Sequence, residues 1–282
     1  ATTSTTQGST TTSTTVWTPR TLTVVATGDV LNENAVNREA QRLAPDDQRF
    51  DFAALFAPVQ PEISGADLAI CHIELPIAAP GAAYGLLGRS RYGGNRLMAP
   101  NELAPGLAAT GFDRCDTASN HALDAGTEGI ASTLEALEAN GIGHSGTARS
   151  QEEGAAMIAP FEVKGIKVSH LAYTRTLNTE DPPDAWVLWR YRSPEQVADD
   201  VRAARQAGAE LVILSLHVGV EMQPWVEPND LQYVRAITDL VKVDLVVTHG
   251  PHVVHRVSRV NGTLVYWSVG NFVSGMGVDR KS

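Results

Sequence analysis

The sequence predicts an α/β protein built around a largely parallel sheet, and three observations carry that prediction. Short apolar runs recur at Thr21–Ala26, Ala66–Cys71, Gly111–Thr117, Glu210–Leu216 and Val243–Val247, each the length of a buried strand. Helical patterns lie between most of them, the alternation that a parallel sheet requires. Two β-rich runs, Val253–Val260 and Thr263–Trp267, flank Asn261-Gly262, so a hairpin is expected and part of the sheet should be antiparallel.

Taken in order, the strand at Thr21–Ala26 runs into Thr27-Gly28-Asp29-Val30. A helix is expected over Asn32–Leu43, with Asn32 or Asn34 as its cap. A second helix near Phe52–Ile63 leads to the strand Ala66–Cys71, which ends in His72-Ile73-Glu74-Leu75-Pro76. Residues 78–98 hold five glycines and three arginines without hydrophobic period, so a long loop is expected. A helix at Pro100–Thr110 precedes the strand Gly111–Thr117, whose end carries Ala118-Ser119-Asn120-His121. A helix over Gly126–Asn140 stops at Gly141. Met157–Val163 and Ile166–Thr174, split by Lys164-Gly165, predict another hairpin. Ser193-Pro194 opens a helix as cap and first residue. The strand Glu210–Leu216 delivers His217, and Asn229–Val241 is the last clear helix.

Composition narrows the function. The chain has 282 residues, 43% hydrophobic and 19% charged, ordinary for a globular protein with a sizeable core. No apolar run approaches the roughly 20 residues needed to span a bilayer as a helix. A net charge of −10 without a basic run argues against nucleic acid as partner. Twelve of the first fifteen residues are Ser or Thr, so residues 1–17 are read as a disordered tether before one domain over 18–282. The chain starts on Ala1, and stalks of this kind follow an export signal or a lipid-anchored cysteine. The expected location is therefore extracytoplasmic, tethered to membrane or cell wall through a removed amino terminus. Cys71 and Cys115 make no CxxC metal site. They sit late in apolar runs that form neighbouring strands, where they either bridge or stay buried and free.

The polar groups fall at one kind of place. Asp29, Glu74, Asn120 with His121, His217, and His249 with His252 all lie just past a strand end. In an open α/β sheet those carboxyl edges face one crevice. Carboxylate, imidazole and amide oxygen together suit a divalent first-row transition metal, so Mn, Zn or Fe is expected. Arg89 and Arg91 on the glycine-rich loop are candidates to receive an anionic substrate, with solvated loop arginines the equal alternative. Tyr173, Arg175 and Asn178 follow another strand end, either contacting substrate or simply exposed. His144 is a further candidate for the pocket, whereas His170 reads as structural and His255 as a surface residue.

The ordered set of motifs resembles the bacterial capsule-synthesis CapA family, also called poly-γ-glutamate biosynthesis proteins, grouped with calcineurin-like metallophosphoesterases. The matching residues are Gly28-Asp29-Val30, Ile73-Glu74-Leu75-Pro76, Gly111-Phe112-Asp113 through Ser119-Asn120-His121-Ala122-Leu123-Asp124, Leu216-His217-Val218-Gly219, Thr248–His252 and Ser268-Val269-Gly270-Asn271-Phe272. The resemblance implies a four-layer α/β/β/α sandwich with mixed sheets and a two-metal-type pocket. It implies Asp29, Glu74, Asn120, His217, His249 and His252 as metal ligands, with Glu74 as the bridging carboxylate. His121 and Asp29 are the catalytic candidates, His121 as general acid. His72, at a position where the family often has asparagine, is either an extra ligand or, with Asn271, a residue lying behind the ligands. The implied function is a metal-dependent hydrolase or transferase acting on a phosphoester or an anionic envelope polymer. The alternative is a non-catalytic subunit that binds acidic polymer at a membrane-bound synthase or export complex. Family members usually continue past the last motif, so a truncated carboxyl terminus is expected.

Overall fold

The computed structural model describes residues 19–190 and 193–276; the expected tether falls outside them. The first sheet contains β1 (Val24–Leu31), β2 (Leu68–Ile73), β5 (Arg114–Asp116), β6 (Gly143–Ser145) and β13 (Asn271–Ser274), in the order β13-β1-β2-β5-β6. Every pairing in it is parallel. The second sheet contains β7 (Phe161–Val163), β8 (Ile166–Thr174), β9 (Leu211–His217), β10 (Leu245–His249), β11 (Val257–Val260) and β12 (Thr263–Tyr266). Its order is β11-β12-β10-β9-β8-β7, parallel in the centre and antiparallel only at the two outer pairs. A separate antiparallel hairpin is formed by β3 (Gly85–Arg89) and β4 (Asn95–Met98).

The period of two along each strand builds the layers. In β2, Leu68 and Ile70 pack between the sheets against Val168 and Ile213. Ala69, Cys71 and Ile73 turn the other way, onto helices Leu103–Thr110 and Gly126–Ala139 through Leu107 and Leu137. In β9, Val212, Leu214 and Leu216 face helices Pro194–Gln206 and Pro228–Leu240, meeting Val201 and Ile237. Each fully buried Leu, Ile or Val in these rows contributes roughly 1.5–3 kcal/mol. The result is a four-layer α/β/β/α sandwich with one parallel and one mixed sheet. Among the described residues no helix is long and apolar enough to cross a membrane.

Three expectations change. The loop over 78–98 contains the β3–β4 hairpin, which the sequence hides because no alternation marks this glycine-rich two-stranded piece. The helix expected near Phe52–Ile63 is three short pieces, Phe52–Phe56, Ala57–Val59 and Gln60–Ser64, with Pro58 and Pro61 near the breaks. Neither Asn32 nor Asn34 caps the first helix: it spans Asn34–Leu43, and Glu33 precedes it without a side-chain cap bond.

Cys71 and Cys115 face each other across β2 and β5 and are joined as a disulfide, with Cα atoms 4.4 Å apart. The link closes a loop of 44 residues, for which chain entropy predicts about 4 kcal/mol of stabilisation. Replacing both cysteines by serine is expected to lower the unfolding free energy by about 2–4 kcal/mol in urea titrations. Unchanged stability, or two free thiols in the unreduced wild type by mass spectrometry, would contradict the link.

Candidate metal centre

The inward-facing row of each central strand ends in a polar group at its carboxyl edge. On β2 the row Leu68, Ile70 continues into His72 and then Glu74; on β5 it is Arg114 and Asp116. On β9 Ile213 and Ser215 precede His217, and on β10 Leu245 and Val247 precede His249. Asp29 enters from β1, where the register shifts between Ala26 and Asp29, and that irregularity aims its carboxylate inward. Gly28 is required here: a Cβ would lie 2.0 Å from the carbonyl oxygen of Gly270, which accepts the Asp29 N–H. Gly250 has φ of 106°, and a Cβ there would press to 2.7 Å from the Val218 carbonyl oxygen. His252 follows at φ 61°, a left-handed conformation uncommon for histidine that turns its ring back into the crevice.

Asp29 is the hub. One carboxylate oxygen lies 3.2 Å from His249 Nδ1, and the other lies 3.0 Å from His252 Nδ1. Two groups of potential ligand atoms share it, Asp29 with His72 and His249, and Asp29 with Glu74 and His252. Within each group the atoms lie within 4.8 Å of one another, so buried Asp and His side chains are positioned to hold a metal ion. The residue common to both groups is Asp29, where the resemblance implied Glu74. His217 Nδ1 lies 3.0 Å from His72 Nε2, and His72 and His249 stack with centroids 4.2 Å apart.

Whether these residues suit a cation is tested by their unmet oxygens. Both Glu74 carboxylate oxygens, Asn120 Oδ1 and Asp116 Oδ2 are buried without a hydrogen-bond partner. The two Glu74 oxygens, with His252 Nε2 3.6 Å away and in one ligand group with Asp29, are a costly arrangement unless a cation meets them. The donor set fits a divalent first-row metal. Burial pushes the Asp29 carboxyl up, but hydrogen bonds from His249 and His252 and the nearby His72 hold it well below the usual range. Burial, reinforced by the Asp29 charge, pushes Glu74 up to about 7. Burial drives His217 well below the ordinary imidazole value.

His121 sits beside this cluster on a different footing. Its Nδ1 donates to Asp124 Oδ2 at 2.6 Å, which fixes the tautomer and leaves Nε2 as the other functional nitrogen. Asp124 is itself held, since its Oδ2 accepts the Leu97 N–H at 2.7 Å and its Oδ1 accepts from Asn178 at 3.2 Å. Asn178 also gives its backbone N–H to the Asn120 carbonyl and its amide to the Asn95 carbonyl. It therefore braces the Asn120-His121 turn and the β3–β4 hairpin together.

The other predicted residues divide. Asn271 Oδ1 lies 2.7 Å from His252 Nδ1, the bracing position expected for it. Tyr173 is turned outward by the strand alternation, gives its hydroxyl to Asp200 at 2.7 Å and packs on Trp189, away from the expected substrate contact. Arg175 donates its backbone N–H to the His217 carbonyl, while its guanidinium pairs with Asp230. Arg89 and Arg91 line a surface cleft with Arg96 and Thr179; Arg91 pairs with Glu180 at 3.2 Å and Arg89 bonds the Gly93 carbonyl. His144, on edge strand β6, faces Glu138 at 3.1 Å rather than the crevice. His170 is buried against Ser215 at 2.9 Å, and His255 bonds the Gln223 carbonyl. Sequence reasoning missed Asp116 and Asp124. The rule that found the others, a polar residue where a strand ends, would have found Asp116, and the spacing of three from His121 marks Asp124.

The family profile described as bacterial capsule synthesis protein PGA_cap matches residues 23–276. The PGA biosynthesis protein CapA of Bacillus subtilis (strain 168) is 26% identical over 171 residues, covering 60% of this chain and 44% of that protein. The capsule biosynthesis protein CapA of Bacillus anthracis is 22% identical over 268 residues, covering 92% and 61% respectively. A probable polyglutamine synthesis accessory protein of Mycobacterium tuberculosis (strain CDC 1551 / Oshkosh) is 26% identical over 185 residues, covering 60% and 47%. The chain thus spans about half the length of the curated relatives it matches. With the match running from β1 to the last described residue, the chain belongs to the bacterial capsule synthesis PGA_cap family.

Proposed function

We propose that this protein serves capsule or poly-γ-glutamate synthesis outside the cytoplasm as a metal-dependent hydrolase or transferase. The observation that carries the reading is the convergence of His72, His249, Glu74 and His252 on Asp29, with both Glu74 oxygens buried and without a hydrogen-bond partner and the His121–Asp124 pair alongside. Asp29, Glu74, Asn120, His217, His249 and His252 would hold one or two divalent ions of Mn, Zn or Fe. Such an ion supplies Lewis acidity toward a phosphoryl or carbonyl oxygen. The chain's own residues do the rest. Asp124 keeps the His121 proton on Nδ1 and the ring in one orientation, so that Nε2 can carry a proton to a departing oxygen. Asn271 orients His252. The relatives' names, PGA biosynthesis protein and polyglutamine synthesis accessory protein, support a place in a polymer-synthesis system; the proposal takes an acidic polymer as substrate and a membrane-bound synthase or export complex as the setting.

A second reading has one observation behind it: a relative is named as an accessory protein. In that reading the metal serves as a receptor for polymer carboxylates and no bond is broken. Turnover separates the two. Protein loaded with Mn²⁺ is expected to hydrolyse bis(p-nitrophenyl) phosphate or shorten poly-γ-glutamate, and EDTA should stop it. Protein that holds metal yet turns over neither compound would favour the accessory reading.

A further inference from the structure

We propose that His72 is itself a metal ligand and that Asp116 is the positioning residue that aims it, an inference that rests on the metal-centre reading above. His72 is fully buried, and both of its ring nitrogens are committed. Nδ1 bonds Asp116 Oδ1, while Nε2 lies 3.0 Å from His217 Nδ1 and 4.0 Å from Asp29 Oδ1. With the ring proton on the Asp116 side, the Nε2 lone pair points at a second imidazole nitrogen and a carboxylate. With the His217 proton on Nε2 as well, three lone-pair atoms converge in a dry site, an arrangement that a cation between them relieves.

His249 repeats the arrangement. Its Nδ1 lies 3.2 Å from Asp29 Oδ1 and its Nε2 lies 3.7 Å from Asp116 Oδ2, the oxygen otherwise without a partner. The two imidazoles are stacked, 9° from parallel, and each spans from the Asp116 carboxylate to the Asp29 carboxylate. One carboxylate thus stands behind two imidazoles while the other stands with them at the ion. Carboxylate–histidine–metal alignment fixes the tautomer and raises ligand basicity, and removing the outer carboxylate typically weakens metal binding about 10–100-fold. The register explains why these residues meet. His72 lies directly opposite Asp116 in the β2–β5 pairing, one step beyond the Cys71–Cys115 link that fixes that pairing.

The test is metal affinity, measured on the full chain by elemental analysis and by competition of Zn²⁺ against a chromophoric chelator. Asp116→Ala is expected to weaken one ion about 10–100-fold, and His72→Ala at least as much. Asp116→Asn, which keeps an acceptor for the Nδ1 proton, should recover part of the loss. Ile70→Val, on the same face of β2, should change nothing and so controls for core disturbance. Cobalt-loaded Asp116→Asn should also show a shifted visible d–d band, which a merely structural residue would not cause. If His72→Ala does not fold, a Co²⁺-loaded wild type labelled in histidine should still show a slowly exchanging, hyperfine-shifted His72 Nδ1–H. Wild-type affinity in both alanine variants, or no such resonance, would overturn the proposal while leaving the metal centre intact. A wild type that binds no metal would instead defeat the underlying reading.

Discussion

Replacing His121 by alanine should leave the bound metal in place and lower turnover by at least about a hundredfold. The argument is geometric. The His121 Nδ1 is taken up by Asp124, and His121 belongs to neither group of converging ligand atoms around Asp29. Removing the ring therefore takes away a proton carrier and leaves the oxygens and imidazoles of the cluster as they were. General acid catalysis from a positioned side chain is typically worth about 10²–10⁴-fold, so the loss should appear in kcat. Elemental analysis and turnover, measured on the same preparation, check it. Metal lost together with activity would make His121 a ligand. Turnover unchanged with metal retained would end its assignment as general acid and favour the accessory reading.

Replacing Asp29 by alanine should have the opposite signature, with metal and turnover disappearing together. Its two carboxylate oxygens face different imidazoles, His249 and His252, and it is common to both groups of ligand atoms. Losing a shared ligand should exceed the about 10–100-fold cost of losing a residue behind one. Metal content should therefore fall below detection at micromolar protein. Glu74→Ala is the informative comparison, because Glu74 belongs only to the group containing His252. That variant should keep the binding supported by His249 and His217. An Asp29→Ala protein with wild-type metal content would remove the hub from the account.

Much of this site was legible because strands carry chemistry to their ends. Apolar runs marked β1, β2, β9 and β10, and the residues that follow them, Asp29, Glu74, His217, His249 and His252, do converge in the crevice. What stayed hidden depends on relations between strands. His72 reads as an extra ligand or a residue behind the ligands until the β2–β5 register places it opposite Asp116 and the ring stacks on His249. Tyr173 reads as a substrate contact or an exposed residue because it lies at a strand end, but the period of two along β8 sends it to the helix side and Asp200. The β3–β4 hairpin was invisible for another reason. Its short, glycine-rich strands lack the alternating pattern by which a half-buried strand is recognised. Its link to the site, through Leu97 and Asn95 to Asp124 and Asn178, involves backbone groups that no residue type advertises.

The most direct test of the central claim, that the Asp29 cluster holds divalent metal, is anomalous scattering from crystals of this protein grown in Mn²⁺. The account predicts one or two anomalous peaks in contact with the Asp29 carboxylate, one toward His217 and His249 and any second toward Glu74 and His252. A well-ordered pocket with no anomalous peak near Asp29, at saturating Mn²⁺, would contradict it.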